Sequence, residues 1–524
     1  MKEKVSNIIS KVNRETALTV MCFAFFVFTM MYRLTYSSLW WDEWIEFKYS
    51  QFSFADGKLY EAIISTFQPP LYNWIMHFWL MIGQSIFWFR FFNVLIGTAS
   101  GIFLYIGVKA LYSKKAALIS LCVLACTYEW IYCIQECSEY ALMLFFLFMT
   151  LMFFSLCMKR YRVPYMIGLV LASVGAMYSQ YGAVFVVAPI LLYTYYIVVL
   201  GDRFKKPDLN VSRTEENRDF TTLDKILISG AYVAALIFCA LPLYLYYLRY
   251  QLNNNQASDP VSISVFSLLK GLFVTLGRII LYFWHLTDGI WNLIGAIMSI
   301  GILVTVVLLF WKGHVDRASK GLLFTLAFSY VLHYFLVRLQ LYAMVHPNQS
   351  GGFYIRYSYF YIPLLCFAIP VLIKELQDAM AENHFVSGQI QRLTPYFAGA
   401  MALCVILSAY TTLQNWHKAY DNVYSRIWME HEGWKDTTYL VGISYNGFWY
   451  YIPKEDGYQP GYMDKAVLGV EEELADSFWI WRTNVSETVW QDTVDKARDL
   501  GYLVTVYDDH GYEGQLAYCT LEAE

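Results

Sequence analysis

The chain alternates long apolar runs with short polar breaks. A helix of about 20 apolar residues crosses a hydrocarbon core about 30 Å thick. Runs of that kind recur at roughly 16–35, 86–108, 116–134, 140–158, 163–179, 183–200, 226–247, 289–311, 321–343, 357–373 and 395–413, predicting about eleven spans. Two of the breaks are long, at 36–85 and 248–288. In the first, "LYNWIMHFWLMIG" has the pattern of an amphipathic helix lying in an interface. In the second, the apolar stretch after Pro260 is interrupted by Lys270, Gly277 and Arg278, which predicts an interfacial helix rather than another span. From about residue 414 the pattern becomes that of a water-soluble module. "TTYLVGISY", "SFWIWR" and "YLVTVYDD" read as strands, and "SETVWQDTVDKARDLG" reads as a helix ending on Gly501. The expected organisation is a transmembrane domain over 1–413 and a small α/β domain over 414–524.

Composition agrees with the pattern. Of 524 residues, 58% are hydrophobic and 15% charged, with a mean hydropathy of +0.39. Soluble chains carry roughly 25% charged residues. Aromatics reach 19%, a surplus suited to bilayer interfaces. A net charge of -4 with no basic stripe excludes a nucleic-acid partner. Lys2, Lys4, Lys11 and Arg14 precede the first apolar run, but no small-x-small cleavage site follows, so that run is read as a span.

With the N-terminus cytoplasmic, the inner connections carry "KALYSKK", "KRYR", "DRFKKPDLNVSRTEENRD", "KGHVDRASK" and a stretch with Lys374 and Arg392. The outer loops are poorer in Lys and Arg, as the positive-inside rule requires, and an odd number of spans puts the C-terminal domain outside. Most of the ten cysteines sit in apolar runs and read as small hydrophobes. Cys133 and Cys137 alone have suggestive spacing, with no further ligand pattern to support a metal or a disulfide.

This topology gathers polar groups at the outer face. Asp42 and Glu43 follow the first span in "SSLWWDEWIEF". Gln135, Glu136 and Glu139 lie in the short turn "IYCIQECSEYAL", Arg90 opens the second span, and Arg356 and Tyr357 open the tenth. Singly, an interfacial Asp can cap a helix and an Arg can snorkel. His333, one turn from Ser329 and Tyr330, reads as a packing residue. Arg338, inside an otherwise apolar run, needs an anion or a hydrated cavity. Together the groups suit transfer from a lipid-phosphate donor. A carboxylate would take a proton from an attacking hydroxyl, and guanidinium groups would hold the donor's phosphate. Neither GxxxxGK[ST] nor GxGxxG occurs.

"LWWDEW", then "FQPPLYNWIMHFWLMIGQSIFWFRFF", "IQECSEYALMLFF", "AMYSQYGAVFVVAP" and "FYIRYSYFYIPLL" resemble, in order, the motifs of the protein O-mannosyltransferase-like branch of the GT-C glycosyltransferases, which includes the aminoarabinose transferases. Gln68 stands where that family usually has His before Pro-Pro-Leu, Glu139 where Arg often stands, and Gln180 for a His. The resemblance implies a GT-C bundle with outer-face amphipathic helices. It implies an inverting, single-displacement transfer of a sugar from a polyprenyl-phosphate donor to an acceptor hydroxyl. Asp42 would then be the base with Glu43 its neighbour. Arg90 would orient or pair with the acidic centre or, with Arg338, Arg356 and Tyr357, serve the donor, and Glu136, Glu139, Tyr140 and Gln68 would serve the acceptor or the second-loop site. No cofactor is expected beyond the donor substrate, and a divalent metal lacks a ligand signature. The expected partners are the bilayer, the lipid-linked sugar and a glycan, lipid or protein acceptor. The expected setting is a bacterial plasma membrane. The competing class is a polytopic transporter or lipid-linked-sugar flippase, although no matching halves mark the sequence.

Overall fold

The computed structural model describes residues 2–35, 39, 41–200, 221–254, 265–281, 290–312, 315–339, 341–342, 355–381, 427, 431–432, 437–441, 474–483, 487–507 and 514–521. Its helices are α1 Lys2–Met31, α2 Trp41–Ser50, α3 Lys58–Ser65, α4 Leu71–Leu80, α5 Ile86–Leu111, α6 Lys114–Ala125, α7 Tyr128–Gln135, α8 Glu139–Lys159 and α9 Val163–Ser179. They continue with α10 Tyr181–Leu200, α11 Thr222–Leu252, α12 Val265–Leu281, α13 Ile290–Lys312, α14 Arg317–Arg338, α15 Tyr361–Ala381 and α16 Glu487–Asp499. Among the described residues, α5, α8, α10, α11 and α14 are each long and apolar enough to cross a bilayer. Shorter apolar helices cover Glu15–Met31, Val163–Ser179, Val265–Gly277, Gly295–Leu309 and Tyr361–Lys374. The chain is a polytopic helical membrane protein. The expected span at 395–413 and the sequons at Asn348 and Asn484 lie outside the described residues.

The run at 116–134 is not one straight helix. It divides into α6 and α7, bent by 66° at a short break. Thr127 takes an extended conformation (φ -79°, ψ 118°) and its hydroxyl donates to the carbonyl of Val123 at 2.9 Å, so it closes α6 instead of continuing it. The second piece then buries Glu129 and Gln135, which a lipid-facing helix would not tolerate.

Two compact units emerge from the packing. The first comprises Met1–Tyr32, Ser50–Ile82 and Phe91–Leu413; the second comprises Arg33–Tyr49, Gly83–Arg90 and Gln414–Glu524. In lipid, helices gain little from burying apolar surface against one another, so close approach and interhelical hydrogen bonds decide their association. Both occur in the first unit. Gly277 of α12 lies so close to the backbone of Gly295 in α13 that a Cβ would collide with it. The hydroxyls of Ser329 and Tyr330 in α14 donate to the carbonyls of Phe185 and Leu272, both at 2.5 Å. The segment expected to be interfacial is thus a helix packed along α13, burying Leu268, Leu272 and Leu276 while Lys270 is exposed. Along α11, Leu223, Ile226, Leu236 and Phe238 are exposed, the pattern of a lipid-facing surface.

In the second unit, β1 Thr437–Val441, β2 Ser477–Thr483, β3 Tyr502–Tyr507 and β4 Gly514–Leu521 form one sheet in the order β1-β2-β4-β3. The first pair is parallel and the other two antiparallel. Helix α16 connects β2 to β3 and ends before Gly501, whose φ of 90° suits the residue after a helix terminus. Trp490, Val494 and Ala497, at helical spacing, bury against Phe478, Ile480, Ala517 and Cys519, at alternate strand positions. The sequence pattern predicts β1 to β3 and α16. It misses β4, "GQLAYCTL".

Two outcomes follow from this packing. Gly277→Leu overpacks the α12–α13 contact and lowers stability by about 1–3 kcal/mol, read as a drop in the unfolding temperature of the purified protein. Burial pushes the Cys519 thiol up to about 12, so at pH 8 it is almost wholly protonated. Peptide-resolved alkylation at pH 8 is therefore expected to leave Cys519 unmodified until the domain is unfolded.

Candidate active site

In the second unit the acidic pair occupies the first turn of α2, where the helix dipole favours negative charge. Glu43, Glu46 and Phe47, spaced three and four apart, form its buried stripe, while Lys48 is exposed. Phe47 meets Phe89 edge-on at 5.3 Å. Glu43 is 1% exposed and bound as a fork by Arg90, with Nε to Oε1 at 2.9 Å and Nη2 to Oε2 at 2.7 Å. Nη1 of Arg90 donates to the carbonyl of Leu34 at 2.9 Å. The guanidinium is thus committed on both edges, and Glu43 has its charge compensated. Asp42, one residue before Glu43 and one turn before Glu46, is only half-buried.

In the first unit a second polar group surrounds α7. Glu136, just past its end, pairs with Arg356 of the 3-10 turn Ile355–Ser358. The carbonyl of Glu136 accepts from Asn93 Nδ2 at 2.7 Å. The Arg356 guanidinium lies over the ring of Tyr140, 5.3 Å from its centroid. At the other end of α7, Glu129 Oε2 accepts from the Tyr359 hydroxyl at 2.6 Å. Glu139 is buried in the first turn of α8, and the Tyr357 carbonyl accepts from the Tyr342 hydroxyl at 2.8 Å. Gln135 donates to the carbonyls of Met30 and Tyr32, both at 2.8 Å, satisfying backbone acceptors that the end of α1 leaves open.

Gln68 is held through its backbone. Its carbonyl accepts from Gln251 Nε2 at 2.6 Å, and Gln251 Oε1 accepts from the Tyr181 hydroxyl at 2.6 Å. Arg338 departs from expectation. It is the last residue of α14 and exposed, so the helix ends there and no buried anion is required of it. His333 is fully buried among the rings of Phe185, Phe360 and Tyr361, with Nδ1 at 3.3 Å from the Tyr361 hydroxyl, a packing role.

Sequence reasoning missed Glu46, Glu129, Tyr359 and Gln251. Glu129 could have been found as an ionisable residue inside an apolar run, and Glu46 as the carboxylate one turn beyond Asp42. Nothing in the sequence singles out Gln251. Among the described residues, no group of three or more His, Cys, Asp or Glu is placed to hold a metal ion, and the described cysteines, Cys133 and Cys137 included, are free thiols.

Residues 67–210 match the model of the family described as dolichyl-phosphate-mannose-protein mannosyltransferase. That stretch, about a quarter of the chain, holds Gln68, Arg90, Glu129, Glu136, Glu139 and Tyr140; Asp42 precedes it and Arg356 follows it. Two solved structures are similar at low identity. ArnT from Cupriavidus metallidurans bound to undecaprenyl phosphate is 11% identical, with 96% of this chain and 97% of that one covered and a TM-score of 0.47. The archaeal oligosaccharyltransferase AglB from Archaeoglobus fulgidus, in complex with an inhibitory peptide and a dolichol-phosphate, is 12% identical, with 96% and 74% covered and a TM-score of 0.48. No curated protein matches. Over residues 67–210 the chain is thus similar to that mannosyltransferase family.

Because Glu43 and Arg90 compensate one another away from water, removing either leaves a buried charge alone. Glu43→Leu or Arg90→Met is expected to cost about 3–5 kcal/mol, whereas the double replacement recovers most of that loss. Unfolding temperatures of the three variants in one detergent check it.

Proposed function

We propose that the chain transfers a sugar from a polyprenyl-phosphate-linked donor to an acceptor hydroxyl, with Asp42 as general base. The observation that carries this reading is the unequal treatment of two adjacent carboxylates. Glu43 is buried and both of its carboxylate oxygens are bound by one edge of the Arg90 guanidinium, so it is poorly placed to meet a substrate. Asp42 sits beside it at a helix N-terminus and is partly open to solvent, where a base must be reached by its substrate. Arg90 then acts by holding Glu43 and, through it, the first turn of α2.

In the proposed step the acceptor oxygen attacks the anomeric carbon as Asp42 takes its proton. The bond from that carbon to the phosphate oxygen breaks, polyprenyl phosphate leaves with the electron pair, and the anomeric configuration inverts. Charge accumulates on the departing phosphate, which a guanidinium stabilises more strongly than it does the diester donor. Arg338, exposed at the end of α14, and Arg356 with Tyr357 are the groups proposed for that task. Glu136, Glu139, Tyr140 and Gln68 are proposed for the second-loop and acceptor side. The family match over 67–210 supports the transferase class, and the outer face of a bacterial plasma membrane is the proposed location.

Asp42→Asn is expected to keep wild-type expression and unfolding temperature and to lower kcat about 10²–10⁴-fold. Release of polyprenyl phosphate from a labelled polyprenyl-phosphate sugar in proteoliposomes measures it. Full turnover in this variant sinks the assignment, and movement of intact donor across the bilayer without transfer favours a flippase.

A further inference from the structure

The contacts around α7 form a closed circuit. Arg356 pairs with Glu136 just past one end of the helix, and Tyr359, three residues along from Arg356, binds Glu129 near the other end. Glu129 and Glu136 are seven residues apart, about 10 Å along a helix axis. The two ties therefore hold the Ile355–Ser358 turn to α7 at widely separated points. The Tyr359 N–H returns to the Arg356 carbonyl at 3.2 Å, joining them through the backbone. The Tyr140 ring fills the interior, facing the guanidinium at 5.3 Å and meeting the Tyr359 ring edge-on at 5.7 Å. Glu129, Glu136, Tyr359 and Tyr140 are all buried, so water does not compete for these bonds.

An arginine that must leave a carboxylate for a phosphate needs a backbone that stays still while its side chain moves. When the ion pair opens, the turn keeps the Tyr342 hydroxyl on its Tyr357 carbonyl and, directly after Ser358, the Tyr359–Glu129 bond that ties it to α7. We infer that Tyr359 and Glu129 are positioning residues that fix the backbone of Arg356 through the hydrogen bond between them, so that its guanidinium is presented to the donor's phosphate. This rests on the proposed function, which assigns Arg356 to the donor.

The experiment compares Tyr359→Phe, Glu129→Leu, their combination and Glu129→Gln in reconstituted protein. Tyr359→Phe removes one oxygen and keeps the ring contacts, so it tests the bond even where Glu129→Leu does not fold. Two quantities are read: steady-state kinetics for donor and acceptor, and binding of polyprenyl phosphate alone. Tyr359→Phe and Glu129→Leu are each expected to raise the donor KM and weaken polyprenyl-phosphate binding about tenfold, with kcat and acceptor KM changed less than threefold. The combined variant should be no worse than either single one. Glu129→Gln keeps an acceptor oxygen and should restore donor KM to within about twofold of wild type. Unchanged donor KM and lipid-phosphate affinity overturn the inference. So do losses that fall equally on donor and acceptor, effects that simply add, or a Glu129→Gln variant as impaired as the Leu one. Wild-type protein that transfers no sugar overturns the proposed function instead, and the lipid-phosphate binding of the variants still reads the positioning role.

Discussion

A carboxylate in so apolar a chain persists as a charge only where the protein itself supplies what water would. The ion pair between Glu43 and Arg90 meets that demand in its strongest form, with two parallel hydrogen bonds matched to two oxygens and the remaining nitrogen spent on a backbone carbonyl. Much of the site's organisation follows. The pair fixes the start of α2 and gives Glu43 a structural duty, while Asp42 beside it is only half-buried.

The same demand is met differently around α7. Glu136 takes a guanidinium, whereas Glu129 takes a tyrosine hydroxyl, which satisfies an oxygen without adding a cation. The bend between α6 and α7 serves this arrangement, since an unbroken helix from Lys114 to Gln135 would carry Glu129 and Gln135 on a regular surface instead of turning them into the protein. Gln135 shows the economy of the segment, because one side-chain amide closes the carbonyls at the end of α1.

What the amino-acid order determined by itself is everything that depends on length and period. Runs of about 20 apolar residues gave long apolar helices such as α5, α8 and α14, alternation in "SFWIWR" gave a strand, and the spacing of Trp490, Val494 and Ala497 gave α16 one apolar face. The acidic pair, Arg90, Glu136 and Arg356 were also visible, because a charge beside an apolar run is conspicuous against its neighbours. Only the tertiary structure decided which of these charges answer one another. Glu43 and Arg90 are 47 residues apart, and Glu136 and Arg356 are 220 apart. No local pattern encodes such pairings, since they arise when helices close over groups that have lost their water. For the same reason Glu129, Tyr359 and Gln251 drew no notice along the chain. Whether a polar residue is buried and paired, or stands at a helix end in the open, depends on where its helix stops and what packs beside it.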